Sequence, residues 1–95
     1  MKILVTGCSG FIGFHLCLKL LENNKYKIIG IDNLNDYYEL KLKKSRLKIL
    51  KKNKKFFKFF KLDITNKKKI ENNFKKNNYN YVVHLAAQAG VRYSL

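Results

Sequence analysis

Three evenly spaced glycines constrain this chain more than any other feature. Gly7, Gly10 and Gly13 lie between an unbroken apolar run, Ile3-Leu4-Val5, and a segment of helical period that begins at Phe11. A short apolar run closed by a glycine loop marks a strand buried on both faces. After it Ile12, Leu16 and Leu20 recur every four residues, with Leu21 beside them. That spacing predicts an amphipathic helix from Phe11 to about Asn23, closed by Asn23-Asn24. In such a strand–loop–helix unit each glycine has its own use. The first makes a tight turn, the second lets the backbone approach a diphosphate, and the third lets helix pack close to strand. Exposed N–H groups near Phe11 and Ile12 then meet phosphates with the positive end of the helix dipole.

The remaining chain alternates in the same way. Lys27–Asp32 reads as a second strand, and Asp32 closes it about 20 residues beyond the loop. A carboxylate there accepts hydrogen bonds from adenosine ribose hydroxyls and repels a 2′-phosphate, which favours NAD over NADP. The polar stretch Asn33-Leu34-Asn35-Asp36 leads into a Lys-rich helix with Leu40, Leu47 and Leu50 at its apolar positions. Phe56–Phe60 reads as a third strand, followed by Leu62-Asp63-Ile64. Thr65 or Asn66 can cap a third helix, with Ile70 and Phe74 on its buried face. Tyr81–Leu85 is the fourth strand, running into the small residues Ala86-Ala87-Gln88-Ala89-Gly90.

The order βαβαβαβ predicts an α/β fold: a Rossmann-type, doubly wound parallel sheet with right-handed crossovers, first portion only. Residues 1–95 are expected to form the amino-terminal part of a dinucleotide-binding domain, without an internal repeat or linker. Val91–Leu95 look like the opening of a further helix, and a doubly wound fold needs more strands than these four. The sequence therefore reads as cut, with the catalytic and substrate parts absent.

Composition narrows the partners. Twenty-one Lys and Arg against six Asp and Glu give a formal net charge of +15, a balance that raises nucleic acid or an anionic membrane as partner. The basic residues, however, punctuate the whole stretch from Lys41 to Lys76, interleaved with Asn, Ile, Phe and Tyr. These residue types share A/T-rich codons, so a biased genome suffices to explain them, and neither a nucleic acid nor a membrane is expected. The first apolar run is too short for a signal peptide or a spanning helix, which makes a cytoplasmic location the default. Cys8, in the loop, and Cys17, in the first helix, read as small buried residues and not as a disulfide framework or a metal cluster. His15 and His84 have no metal-ligand partner nearby in sequence, and His84 is expected at a buried strand end. Cys8 lies near a helix start, a place that lowers thiol pKa values, yet the buried reading is preferred.

The motifs carry a resemblance. Thr6-Gly7-Cys8-Ser9-Gly10-Phe11-Ile12-Gly13 resembles the TGxxGFIG signature of the extended short-chain dehydrogenase/reductases, within the NAD-dependent epimerase/dehydratase family. Gly30–Tyr38 and His84–Ser94 are similar to the UDP-glucuronate 4-epimerases in particular, and the resemblance covers essentially the whole chain. It implies NAD as cofactor, held by Gly7, Gly10, Phe11, Ile12, Gly13, Asp32 and Asn33. It also implies Asp63 and Ile64 beside the adenine, and Leu85, Ala86 and Ala87 under the nicotinamide-side ribose. Gln88 and Arg92 are implied toward a UDP-sugar substrate, and a homodimer is implied for the complete enzyme. That enzyme is expected to epimerise a sugar by transient oxidation at carbon 4. A nucleotide-sugar 4,6-dehydratase, or an enzyme of UDP-galactose or UDP-xylose metabolism, is the same-fold alternative. A basic nucleic-acid-binding module is the alternative of another class.

One spacing misleads. Short-chain dehydrogenases carry a Tyr-x-x-x-Lys pair in which the ammonium helps hold a phenolate-like base. Tyr37 and Lys41 have that spacing but precede the third strand, whereas the family's pair follows the fifth. No catalytic residue is expected in this chain, nor any metal site, and the chain alone is expected to be inactive.

Overall fold

A computed structural model describes residues 1–34 and 40–86. It contains β1 (Lys2–Thr6), α1 (Phe11–Leu21), β2 (Lys27–Asp32), α2 (Leu40–Lys51), β3 (Phe57–Lys61), α3 (Lys67–Lys76) and β4 (Tyr81–His84). The strands form one sheet in the order β3-β2-β1-β4, and every neighbouring pair is parallel. The alternation read from the sequence is therefore present, with strand ends displaced by a residue or so. The helix expected to open over Val91–Leu95, and the decoy Tyr37, lie outside the described residues.

Side-chain alternation assigns each helix to a face. Ile3 and Val5 of β1, Ile28 of β2 and Phe57 of β3 point to one side, where Phe14, Cys17, Leu21, Leu47 and Leu50 from α1 and α2 cover them. Leu4, Ile29 and Ile31 point to the other side, where Ile70 of α3 packs with Phe60, Leu62, Ile64 and Tyr79. From β1 to β3 the chain steps one way across the sheet with its helices on the first face. From β3 to β4 it steps back past β1 with α3 on the second. Direction and face both reverse, so all three crossovers share one hand, as the right-handed rule requires. The strand order turns round between β1 and β4. In open α/β sheets that switch point, at the carboxyl ends of the strands, is where ligands bind.

Two helical faces differ from expectation. On α1 the buried residues are Gly13, Phe14, Cys17 and Leu21, while Leu16 and Leu20 are only half-buried and Ile12 is 67% exposed. Gly13 sets that rotation. A Cβ on it would lie 2.1 Å from the Gly7 carbonyl oxygen, so the helix must turn this bare position to the loop, and residues four and eight further on follow it inward. On α3 Phe74 is exposed, with its ring edge-on to Tyr79. The helix meets the sheet through Ile70 and Asn73, three apart, and Asn73 is buried with its side-chain oxygen accepting from the Tyr79 hydroxyl. Burial pushes the Tyr79 phenol up to about 12. Asn66, not Thr65, caps α3, its side chain accepting from Lys69 N at 3.2 Å. At the end of α1, Asn24 takes a positive φ of 52°, a conformation Asn tolerates better than most residues.

Candidate functional site

The turn after β1 is built around Gly7, whose φ is +73°. Its N–H donates to Ile31 O at 2.7 Å, tying the turn to the end of β2. A Cβ on Gly7 would stand 2.9 Å from Ala86 N, so the segment leaving β4 passes directly against this residue. Gly7 and Gly13 are thus demanded by the fold itself: one by its backbone conformation and the neighbouring strand, the other by the close approach of α1.

Gly10 is different. Its φ and ψ, −70° and 169°, suit any residue. Among the described residues, a Cβ there would meet Gly7 O alone, at an ordinary 3.4 Å. Neither its backbone conformation nor its packing against the described residues asks for glycine at this position. What the missing side chain keeps clear is the space in front of the loop. Gly10 also stands at the N-cap of α1 without a side-chain cap, and no acid occupies the first turn. The leading N–H groups of a helix need partners, and an anion is the natural one. Phe11 and Ile12, at 65% and 67% exposure, flank that opening.

Asp32 lies beside the same loop. Its carboxylate accepts from Ser9 N at 3.3 Å through Oδ2 and from Leu34 N at 2.8 Å through Oδ1. The residue is only 4% exposed, and Lys43 Nζ stands 3.5 Å from Oδ1. Leu34 takes a positive φ of 58° in the turn that follows, and Asn33 is half-buried between them. Oδ2, with one long hydrogen bond, keeps acceptor capacity. Glycine turn and carboxylate therefore share one crevice.

Lys43 and Arg46 were not singled out by the sequence. The Arg46 guanidinium is buried, donates to Ser9 O at 3.2 Å and lies 5.7 Å from the centre of the Phe11 ring. Both side chains rise from α2 one turn apart, on the face that carries Leu47 and Leu50. The signal was present as the spacing 43, 46, 47, 50, but in a helix so rich in Lys it is hidden among solvated cations. Lys43 beside Asp32 also softens the argument that its charge repels a 2′-phosphate.

The other predicted positions follow the sheet's carboxyl edge. Asp63, after β3, is exposed and accepts from Thr65 N at 2.9 Å and Thr65 Oγ1 at 2.7 Å. The Thr65 hydroxyl, then its amide, hold the carboxyl below its usual range. Ile64 packs beside Ile31 on the second face. Leu85 and Ala86 leave β4 against the glycine turn, both donating N–H to Thr6 Oγ1, at 3.0 and 3.2 Å. Ala87, Gln88 and Arg92 lie outside the described residues. His84 corrects expectation: it is exposed, because nothing described covers the outer edge of β4, although its Nδ1 sits 2.7 Å from Thr6 Oγ1. Cys8 and Cys17 are free and buried. Burial, then the neighbouring Cys17 and Asp32, drives the Cys8 thiol far up, and burial alone takes Cys17 to about 12. Among the described residues no group of His, Cys, Asp or Glu is arranged to hold a metal, and no helix is long and apolar enough to cross a membrane.

A parallel sheet whose order reverses beside a tight glycine turn, with free helix amides and a carboxylate in one crevice, defines a Rossmann-type dinucleotide fold. Residues 3–95 match the NAD dependent epimerase/dehydratase family, and the chain belongs to it. It is 48% identical to a UDP-glucuronate 4-epimerase of Thermodesulfobacterium geofontis over 97% of its own length and 28% of that protein's. It is 47% identical to the protein CapI of Staphylococcus aureus over 100% of its own length and 28% of that protein's. Among solved structures it superposes on the UDP-glucuronic acid 4-epimerase of Bacillus cereus, in complex with UDP-glucuronic acid and NAD. There the TM-score is 0.80 and the identity 41%, covering 97% of this chain and 28% of that one. A dTDP-glucose 4,6-dehydratase of Bacillus anthracis in complex with NAD gives a TM-score of 0.73 at 33% identity, covering 94% and 27%. The chain thus spans little more than a quarter of the length of these relatives.

Proposed function

We propose that this chain holds the adenosine and diphosphate of NAD for a nucleotide-sugar epimerase, most specifically a UDP-glucuronate 4-epimerase. The observation that carries the reading is Gly10, a glycine required by neither conformation nor packing, at the uncapped start of α1. A diphosphate fills that space and accepts from the first-turn amides of Phe11, Ile12 and Gly13. Asp32 Oδ2 accepts from the adjacent ribose, with Asn33 beside it. Asp63 and Ile64 border the adenine, and Leu85, Ala86 and Ala87 run under the far ribose, where small side chains allow close approach. Gln88 and Arg92 face the sugar nucleotide.

When bound, NAD supplies reversible hydride transfer at sugar carbon 4, the redox step of the epimerisation. The residues of this chain fix the cofactor's position and electrostatics and carry no proton in the reaction. The chain alone is inactive in this reading, and the complete enzyme is a cytoplasmic homodimer. The similarity to a 4,6-dehydratase leaves the cofactor role unchanged and bears only on the sugar chemistry.

Calorimetric titration with NAD tests the cofactor role. Wild type binds NAD in preference to NADP. Gly10→Ala keeps the wild-type circular dichroism spectrum but loses at least about tenfold in affinity, since one added Cβ displaces a phosphate oxygen. A Gly10→Ala protein that binds NAD as wild type does overturns the reading. Incubation with UDP-glucuronate and NAD should yield no UDP-galacturonate from this chain alone.

A further inference from the structure

We propose that His84 is a positioning residue for the cofactor, acting through the hydroxyl of Thr6; the inference rests on the NAD-binding reading above. Thr6 closes β1 immediately before Gly7 and is 5% exposed. A hydroxyl has one hydrogen to donate and two lone pairs to accept with. Both lone pairs are taken, by Leu85 N at 3.0 Å and Ala86 N at 3.2 Å. Among the described residues, the acceptor within reach of the remaining hydrogen is His84 Nδ1, at 2.7 Å. The arrangement that satisfies the hydroxyl, both amides and the ring together is a neutral imidazole with a bare Nδ1 and its hydrogen on Nε2.

The consequence is a three-way node between the two halves of the proposed site. On one side stands the glycine turn, which begins at the residue after Thr6. On the other stands the segment Leu85–Ala86, which lies so close to Gly7 that a Cβ there would come within 2.9 Å of it. Leu85 N also reaches Thr6 O at 3.2 Å, so it is shared between two acceptors, whereas Ala86 N has only the hydroxyl. When His84 is neutral the hydroxyl points its hydrogen away from these amides and offers both lone pairs to them. When the ring gains a proton, Nδ1 becomes a third donor facing an oxygen that has two lone pairs. The ring and the two amides then compete for two lone pairs, and the hydroxyl's hold on Ala86 N, which has no second acceptor among the described residues, weakens.

The titratable groups on the surrounding elements do not duplicate this role. Lys2 lies at the far end of β1 and Tyr81 at the far end of β4, while Cys8 and His15 lie beyond the glycine turn. The cations of α3 and its Glu71 are exposed. Among the described residues no ion pair joins the His84 ring to a charged group.

The test is NAD titration of the full chain from pH 8 to pH 5 for wild type, His84→Asn, His84→Phe and Thr6→Val. Wild type should bind NAD more weakly at the acid end of this range than at the alkaline end, because the ring that accepts from Thr6 Oγ1 is the neutral one. His84→Asn keeps an acceptor near the place of Nδ1 but cannot protonate, so it should bind within about twofold of high-pH wild type, with a flat profile. His84→Phe should bind about fivefold more weakly at every pH, the worth of one hydrogen bond. In the Thr6→Val background, the same His84→Phe change should have no further effect. His84 is exposed, so its variants are expected to fold, and circular dichroism checks this for them and for the buried Thr6→Val. If His84→Phe binds like wild type with the same pH profile, the inference is overturned. A wild type that binds no NAD at any pH instead overturns the reading on which it rests.

Discussion

The two faces of this sheet are filled very differently. Under α1 and α2 ten buried side chains make one cluster that runs from Ile3 to Phe57 and includes both cysteines. Under α3, among the described residues, Leu4, Ile29 and Ile31 alone are buried together, and β4 leaves Tyr81 and Val82 at 59% and 48% exposure. The glycine turn is rooted in the filled face. Cys8 packs against Gly30, where a Cβ would meet its sulfur at 2.6 Å, Gly13 abuts the Gly7 carbonyl, and Arg46 grips Ser9 from α2. Leu85–Ala86, by contrast, is held among the described residues by the Leu85 N–H on Thr6 O and by one hydroxyl. One half of the site is shaped by core packing and the other by a few polar contacts. Substitutions in the two regions should therefore differ in kind as well as in size.

The largest effect is expected at Gly13. A methyl group there requires the Gly7 carbonyl, at 2.1 Å, to move, and that carbonyl belongs to a turn fixed by Gly7 N on Ile31 O. Gly13→Ala should cost more than about 4 kcal/mol, enough to prevent cooperative unfolding from being seen at all. A urea melt with a wild-type midpoint would break the claim that the turn and α1 are in hard contact.

Next comes the filled face itself. Leu50, 1% exposed at the end of α2, belongs to the same cluster as Cys17 and Phe14. Leu50→Ala should lose about 2–5 kcal/mol by transfer and cavity terms together. The thiols report it independently. Cys8 and Cys17 are buried and their thiolates disfavoured, so labelling by a thiol reagent should be slow in wild type and accelerate as this face opens. Equal labelling rates in wild type and variant would show that the cluster does not protect them.

Arg46 tests how far the core reaches into the site. Replacing it by Met keeps the aliphatic length in its buried position but removes the donor to Ser9 O. The expected loss is about 1–3 kcal/mol in stability, with weaker NAD binding beyond that because the loop carbonyl loses its anchor. A variant with unchanged NAD affinity would make Arg46 part of the scaffold only.

The contrast between the faces also explains what was legible in the sequence. Periodicity reads backbone class well, and the alternation of strands and helices survives intact with the glycine turn and Asp32 in one crevice. What it reads poorly is which way a helix turns. On α1 the stripe Ile12, Leu16, Leu20 looked like the buried one, but a single close contact at Gly13 rotates the helix onto Cys17 and Leu21. On α2 Lys43 and Arg46 resemble their many solvated neighbours, and only the third dimension shows that they reach inward to Asp32 and Ser9. His84 was expected to be buried because its strand is apolar, yet a strand is covered only where another element lies over it. Local pattern specifies elements, and tertiary contact specifies faces.

The smallest effect is expected on the sparse face. Phe74 is 41% exposed and its recorded ring contact is edge-on with Tyr79, 5.2 Å between centres. Phe74→Ala should therefore cost about 1 kcal/mol or less, well below the loss at Leu50, although a Phe is the larger side chain to remove. The comparison is informative because hydrophobic size alone ranks the two the other way. If Phe74→Ala proves as costly as Leu50→Ala in the same urea titration, the second face is packed in solution by something that Leu4, Ile29 and Ile31 do not reveal. The asymmetry drawn between the two halves of the site then disappears with it. A loss of about 1 kcal/mol or less leaves α3 a lightly held cover, and the position of the Leu85–Ala86 segment rests on β1 and the Thr6 hydroxyl.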